Sequence, residues 1–171
     1  YATTSDLRAL NLETGEITIV DSTFTKQGDP KISPNGRYIS FTADSQTCQF
    51  VSGAQRLFVR SFPDPNQFYE RISEIYADDP EWAADGSALY FRSRGRIFKL
   101  PVDISGVFRK VGGPTQIAEV AGINVRLTVD PISGDVLLTH PPSTSGNSPN
   151  ATTLSIIENL PAHIDQLMNN R

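Results

Sequence analysis

Apolar and polar positions alternate along most of this chain with a period of two, the signature of half-buried β-strands. Ile39 and Phe41 point to one side of an extended segment while Tyr38, Ser40 and Thr42 point to the other, and Leu89 and Phe91 repeat the arrangement. Runs rich in Phe, Val, Leu and Ile predict further strands at Arg56 to Phe62 and Arg96 to Val102, each followed by a shorter one, at Arg71 to Ile75 and Thr115 to Val120. Leu7 to Leu12, a turn at Glu13-Thr14-Gly15-Glu16, and Ile17 to Val20 predict a strand pair at the start. Ile123 to Val129, Val136 to Thr139 and Thr153 to Ile157 predict three strands near the end. Helical spacing is confined to Leu160, Ile164, Leu167 and Met168, with Asn159 placed to cap that helix and Pro161 suited to its first turn.

The strands are organised by a repeat. Asp29-Pro30-Lys31-Ile32-Ser33-Pro34-Asn35-Gly36, continuing to Phe41, recurs 50 positions later as Asp79-Pro80-Glu81-Trp82-Ala83-Ala84-Asp85-Gly86, continuing to Phe91. A worn third copy, Asp130-Pro131-Ile132-Ser133-Gly134-Asp135-Val136-Leu137, follows 48 positions after Gly86. Asn35-Gly36 and Asp85-Gly86 supply the positive φ that joins two antiparallel strands tightly. Proline after Asp29 and Asp79 is expected to push each aspartate into extended geometry. Trp82 is expected to occupy the place of Ile32 one unit further on. Four antiparallel strands in about 50 residues, repeated, are the pattern of propeller blades.

The run Pro30 to Phe41, and the second copy with Trp82 and Asp85-Gly86, resemble the WD40-like repeat of TolB-type β-propellers. The run Leu89 to Val102 and the ending Thr152 to Leu167 are similar to the C-terminal blades of TolB-like propellers fused to bacterial serine/threonine kinases or other signalling modules. That group usually ends on an Asn-Trp pair, where this chain has Asn159-Leu160. The resemblance implies an all-β partial propeller of about three to four blades with a short C-terminal helix. The units are a half-blade over 1–24, blades over 25–76 and 77–121, and an incomplete blade plus helix over 122–171. It further implies a bacterial scaffold that binds rather than catalyses, in a periplasmic or other extracytoplasmic setting. Because closed propellers typically need about four to eight blades, the missing blades are expected from another chain or copy. Alternative readings are the accessory or sensor propeller of a larger peptidase or kinase, and a hydrolase or lyase with carboxylates in its channel.

Composition narrows the partners. With a net charge of −4 the chain lacks the basic face that nucleic acid requires. The patch Arg92, Arg94, Arg96 and Lys99 reads as a solvated hairpin tip. No apolar run approaches the roughly 20 residues that span a bilayer. Cys48 is the single cysteine, and His140 and His163 lack partners at metal-ligand spacing, so no metal and no cofactor are implied. No Gly-x-Ser-x-Gly elbow marks a serine nucleophile, and no catalytic residue is assigned. Candidate binding residues are Asp29, Asp78, Asp79 and Glu81, which lie at the start of innermost strands and hence near a channel mouth. Cation binding or a basic partner would use them, although Asp29 and Asp79 serve equally to fix their loops through backbone N–H groups. Phe50 joins them because it sits in an insertion, Asp44 to Gln55, that replaces Ser93-Arg94-Gly95 of the next unit. The expected partner is a protein or other ligand, engaged through the channel mouth and inserted loops.

Overall fold

A computed structural model describes residues 6–23, 26–44, 55–120, 126–130, 132–139 and 154–157. Cys48, Phe50, His140, His163 and the expected C-terminal helix lie outside the described residues. The fold is all-β, and every strand pair is antiparallel. A two-stranded ribbon, β1 (Leu7–Leu10) and β2 (Ile17–Asp21), comes first. A four-stranded sheet follows in simple order: β3 (Gln27–Ile32), β4 (Tyr38–Asp44), β5 (Gln55–Ser61) and β6 (Tyr69–Arg71). The next contains β7 (Asp78–Trp82), β8 (Ala88–Ser93) and β9 (Arg96–Asp103), with β10 (Arg109–Lys110) and β11 (Thr115–Glu119) both pairing along β9. Last come β12 (Arg126–Val129), β13 (Val136–Thr139) and β14 (Leu154–Ile157).

Both faces of the middle sheets are buried, so each sheet needs a neighbour on either side. Ile39, Phe41 and Phe58 pack against Leu7 and Val20 of the ribbon. On the opposite face of the same strands, Tyr38, Leu57 and Val59 meet Trp82, Leu89, Phe91 and Leu100 of the next sheet. That sheet's far face, Ala88, Tyr90 and Ile97, packs on Leu127, Val136 and Leu138. The first strands of successive sheets, β3, β7 and β12, lie against one another, so the sheets fan out from them as propeller blades. Stacked rings mark equivalent levels, Phe41 on Phe58 at 5.7 Å and Phe91 on Phe98 at 5.4 Å.

Polar ties lock successive blades. The Trp82 indole N–H donates to the Lys31 carbonyl across 3.1 Å. The Tyr38 hydroxyl accepts from the Phe108 amide at 2.9 Å and donates to the Gly106 carbonyl at 2.8 Å. Asn35, in the first Asn-Gly turn, donates to the Ile104 carbonyl at 2.8 Å. The ribbon is fastened through Asp21, which is buried, accepts from the Thr23 amide and the Gln27 side chain, and pairs with Arg60.

Four sequence expectations are corrected. The fourth strand of the first full blade is Tyr69–Arg71, not Arg71 to Ile75, because the Ile72 and Ser73 amides both turn in to the Leu57 carbonyl and the Ser73 hydroxyl accepts from the Leu57 amide. β1 stops at Leu10, since the Asn11 side chain accepts from the Glu13 and Thr14 amides and starts the turn early. β10 is an additional strand that no hydrophobic run announces. Asp29 and Asp79 are not extended: their φ angles are +51° and +52°. Trp82, in contrast, pairs with Leu89 just as Ile32 pairs with Ile39, as expected.

Phe91 has no exposed surface, and Phe91→Ala is expected to cost about 3–5 kcal/mol in urea unfolding. Gly36 and Gly86 share a left-handed φ, +70° and +73°, yet a Cβ on Gly86 would collide with the buried Ile104 side chain while one on Gly36 meets nothing. Gly36→Ala should therefore cost only the roughly 1–2 kcal/mol of left-handed backbone, and Gly86→Ala clearly more, by the same measurement.

Candidate functional site

The inner strands bring the candidate residues together. In β3, Gly28 pairs with Thr42 and Lys31 with Ser40, leaving Asp29 and Pro30 opposite Phe41 alone. In β7, Asp78 pairs with Arg92 and Glu81 with Tyr90, leaving Asp79 and Pro80 opposite Phe91. Each is a bulge with two residues facing one. Proline has no N–H to offer a ladder and fits there, and aspartate is among the side chains that tolerate positive φ. The bulge releases each aspartate from the ladder of its own sheet.

For Asp79 the direction is toward the next blade, where its carboxylate accepts the Leu127 amide at 2.5 Å. Asp29 stays closer to home, accepting from the Thr42 hydroxyl at 3.3 Å. The Arg126 guanidinium, 74% exposed, stands 3.9 Å from Asp29 and 3.8 Å from Asp79 and so spans the three blades. One step along, Lys31, Glu81 and Thr128 hold equivalent register, each just before the residue that pairs across its hairpin with Ile39, Leu89 or Val136. Lys31 forms an ion pair with Glu81, and Glu81 in turn bonds the Thr128 side chain. The result is two short polar rows crossing the inner ends of three blades, one with Asp29, Asp79 and Arg126 and one with Lys31, Glu81 and Thr128.

Asp78 belongs to a different surrounding. Its carboxylate takes two parallel bonds from Arg92, both 2.8 Å, and a third from the Tyr76 hydroxyl at 2.9 Å. Burial, and then the carboxylate beside it, pushes the Tyr76 hydroxyl up to about 12. This pair removes Arg92 from the expected basic hairpin tip; Arg94 and Gly95 form the tip itself. Burial raises the carboxyls of Asp79 and Glu81, against the bonds from Leu127 and Lys31 that favour their charged forms. Among the described residues no three His, Cys, Asp or Glu side chains converge as metal ligands, and no helix is long and apolar enough to cross a membrane.

Of the predicted residues, Asp29, Asp79 and Glu81 therefore come together at the inner ends of the blades, Asp29 and Glu81 partly exposed and Asp79 buried, while Asp78 is held in its ion pair with Arg92 and Phe50 is outside the described residues. Sequence reasoning missed Lys31, Arg126 and Thr128. The signal for Lys31 was present, because the 50-residue offset aligns a lysine with Glu81 on adjacent inner strands.

No family model and no curated protein matches the sequence. Solved structures do. TolB from Acinetobacter baumannii superposes with a TM-score of 0.59 at 20% identity, over 90% of this chain and 37% of that one. The likeness is one of fold. The chain spans little more than a third of that TolB. Regucalcin, a calcium-binding protein from Agrobacterium tumefaciens strain C58, matches at a TM-score of 0.45 and 14% identity over 85% of this chain and 65% of its own. A prolyl endopeptidase matches at 0.49 and 15% over 81% and 23%.

Because Asp79 is raised above its ordinary 3.8, the folded chain binds its proton more readily than the unfolded chain does. Its contribution to stability is present below that ordinary value and is lost as pH rises through the raised one. Unfolding of the native protein and of Asp79→Asn, compared from about pH 7 down to about pH 4, should show the difference moving in favour of the native protein as pH falls. A difference that does not change with pH would contradict a desolvated Asp79.

Proposed function

We propose that this chain is a non-catalytic propeller scaffold that binds a protein partner across the inner ends of its blades. Asp29 and Glu81 meet basic side chains of that partner with the buried Asp79 carboxylate beside them, Asp78 holds Arg92 in place, and the insertion bearing Phe50 adds a second contact. The observation that carries this reading is the pair of polar rows on β3, β7 and β12, in which the partly exposed carboxylates of Asp29 and Glu81, from different blades, flank the buried Asp79. Side chains on paired strands are held more precisely than side chains on loops, and burial has left Asp79 and Glu81 short of the solvation that a charged carboxylate favours. A cationic side chain arriving there adds to the partial compensation that Lys31 and Arg126 already give. The resemblance to TolB-like repeats supports an extracytoplasmic setting for the encounter. The same carboxylates are engaged with Leu127, Lys31 and Thr128, which suits a recognition surface better than a general acid or base.

The test is photo-crosslinking in the producing cells, with a photoreactive residue at Thr128 on the inner face or at Val111 on an outer loop. A discrete protein adduct is expected from position 128, lost when Asp29→Lys and Glu81→Lys are introduced together, and absent from position 111. Equal adducts at both positions, or an adduct indifferent to charge reversal, would overturn the reading.

A further inference from the structure

Two separate features of the first blades point to one place. The first is an edge. β1 pairs with β2 along one side, and among the described strands nothing pairs along the other. β5, which holds the equivalent position 50 residues later, pairs on that side with β4 through seven consecutive residues, Tyr38 to Asp44. The second is an uncovered apolar side chain. Trp82 is 6% exposed, lying under Tyr38 and its neighbours on the preceding blade, whereas its counterpart Ile32 is 53% exposed. Ile39, beside Ile32 on the same face, is covered by the ribbon, so the shielding stops where β1 stops. A cover for Ile32 equivalent to that of Trp82 would lie against the edge of β1 that no described strand pairs with, between that strand and β3. Leu10, Ile17 and Ile19, 57%, 62% and 52% exposed, extend the apolar surface over the ribbon's outer side.

The repeat itself defines the occupant. The place that covers Trp82 is filled by β3 and β4, an inner hairpin whose second strand runs antiparallel to β5. Among the described strands a second copy of this chain has no such strand to lend, because β4, β8 and β13 are each paired on both edges. We propose that the free edge of β1, together with Ile32, docks a further inner hairpin of this same Asp-Pro…Asn-Gly repeat, supplied by polypeptide outside these 171 residues. The hairpin adds by backbone pairing to β1 and sets an apolar side chain over Ile32, extending the interface already formed by Leu7, Val20 and Phe41.

This goes beyond the partner-binding reading and is tested apart from it. Residues 26–54 of the chain are joined directly before Ser5, which reproduces ahead of β1 the connection that precedes β5, and hydrogen exchange is compared with the unextended protein. The β1 amides should exchange at least about tenfold more slowly in the extended chain. Ile32→Lys should raise the unfolding equilibrium constant about tenfold there and barely change it in the unextended protein. Unchanged β1 exchange, or an equal effect of Ile32→Lys in both chains, would overturn the proposal. So would slow β1 exchange in the unextended protein: if it depended on concentration the edge would belong to a second copy, and if not, to the chain's own residues.

Discussion

Everything in this fold depends on the fact that its two middle sheets are buried on both faces. A strand such as β4, with Tyr38 to Ala43 all buried, cannot leave one side to water as an ordinary antiparallel sheet does. Burying a Phe or Leu side chain is worth about 1.5–3 kcal/mol, and a lone sheet of this composition would forfeit that on one side. Neighbouring sheets supply the cover, and right-handed twist makes a stack of such sheets fan rather than lie flat. The radial order is thus the arrangement in which Phe41 and Phe91 are both enclosed.

The inner strands of both middle sheets carry the Asp-Pro bulge. It releases one residue from the ladder in β3 and again in β7, and each released carboxylate finds a polar contact near the inner ends of the blades. The bulge therefore supplies two of the charged groups of the candidate site, Asp29 and Asp79. In Asp79 the two roles coincide: it secures the Leu127 amide of the next blade and stands beside Arg126.

Much of this was legible in the sequence, for a physical reason. A period of two, turn glycines and an ungapped 50-residue offset are local signals, and they placed the hairpins, the equivalence of Ile32 with Trp82 and the burial of Phe91 between blades. What failed was decided by non-local bonds. Proline's usual preference for extended geometry in the residue before it gave way to the bulge at Asp29 and Asp79. Pairing of β6 ended where Ser73 turned inward to Leu57. Arg92 looked solvated beside Arg94 and Arg96 because its partner, Asp78, lies across the hairpin, 14 residues earlier.

The central claim is that successive sheets pack radially through β3, β7 and the ties from Tyr38 and Trp82. Isotope-edited nuclear Overhauser spectroscopy measures it directly. Cross-peaks are predicted between the Phe108 amide and the Tyr38 ring, and between the Trp82 indole N–H and the Lys31 backbone, contacts separated by 70 and 51 residues in sequence. Their absence, in a sample that still shows the β4–β5 and β8–β9 pairings, would mean that the hairpins are right and the radial assembly is wrong.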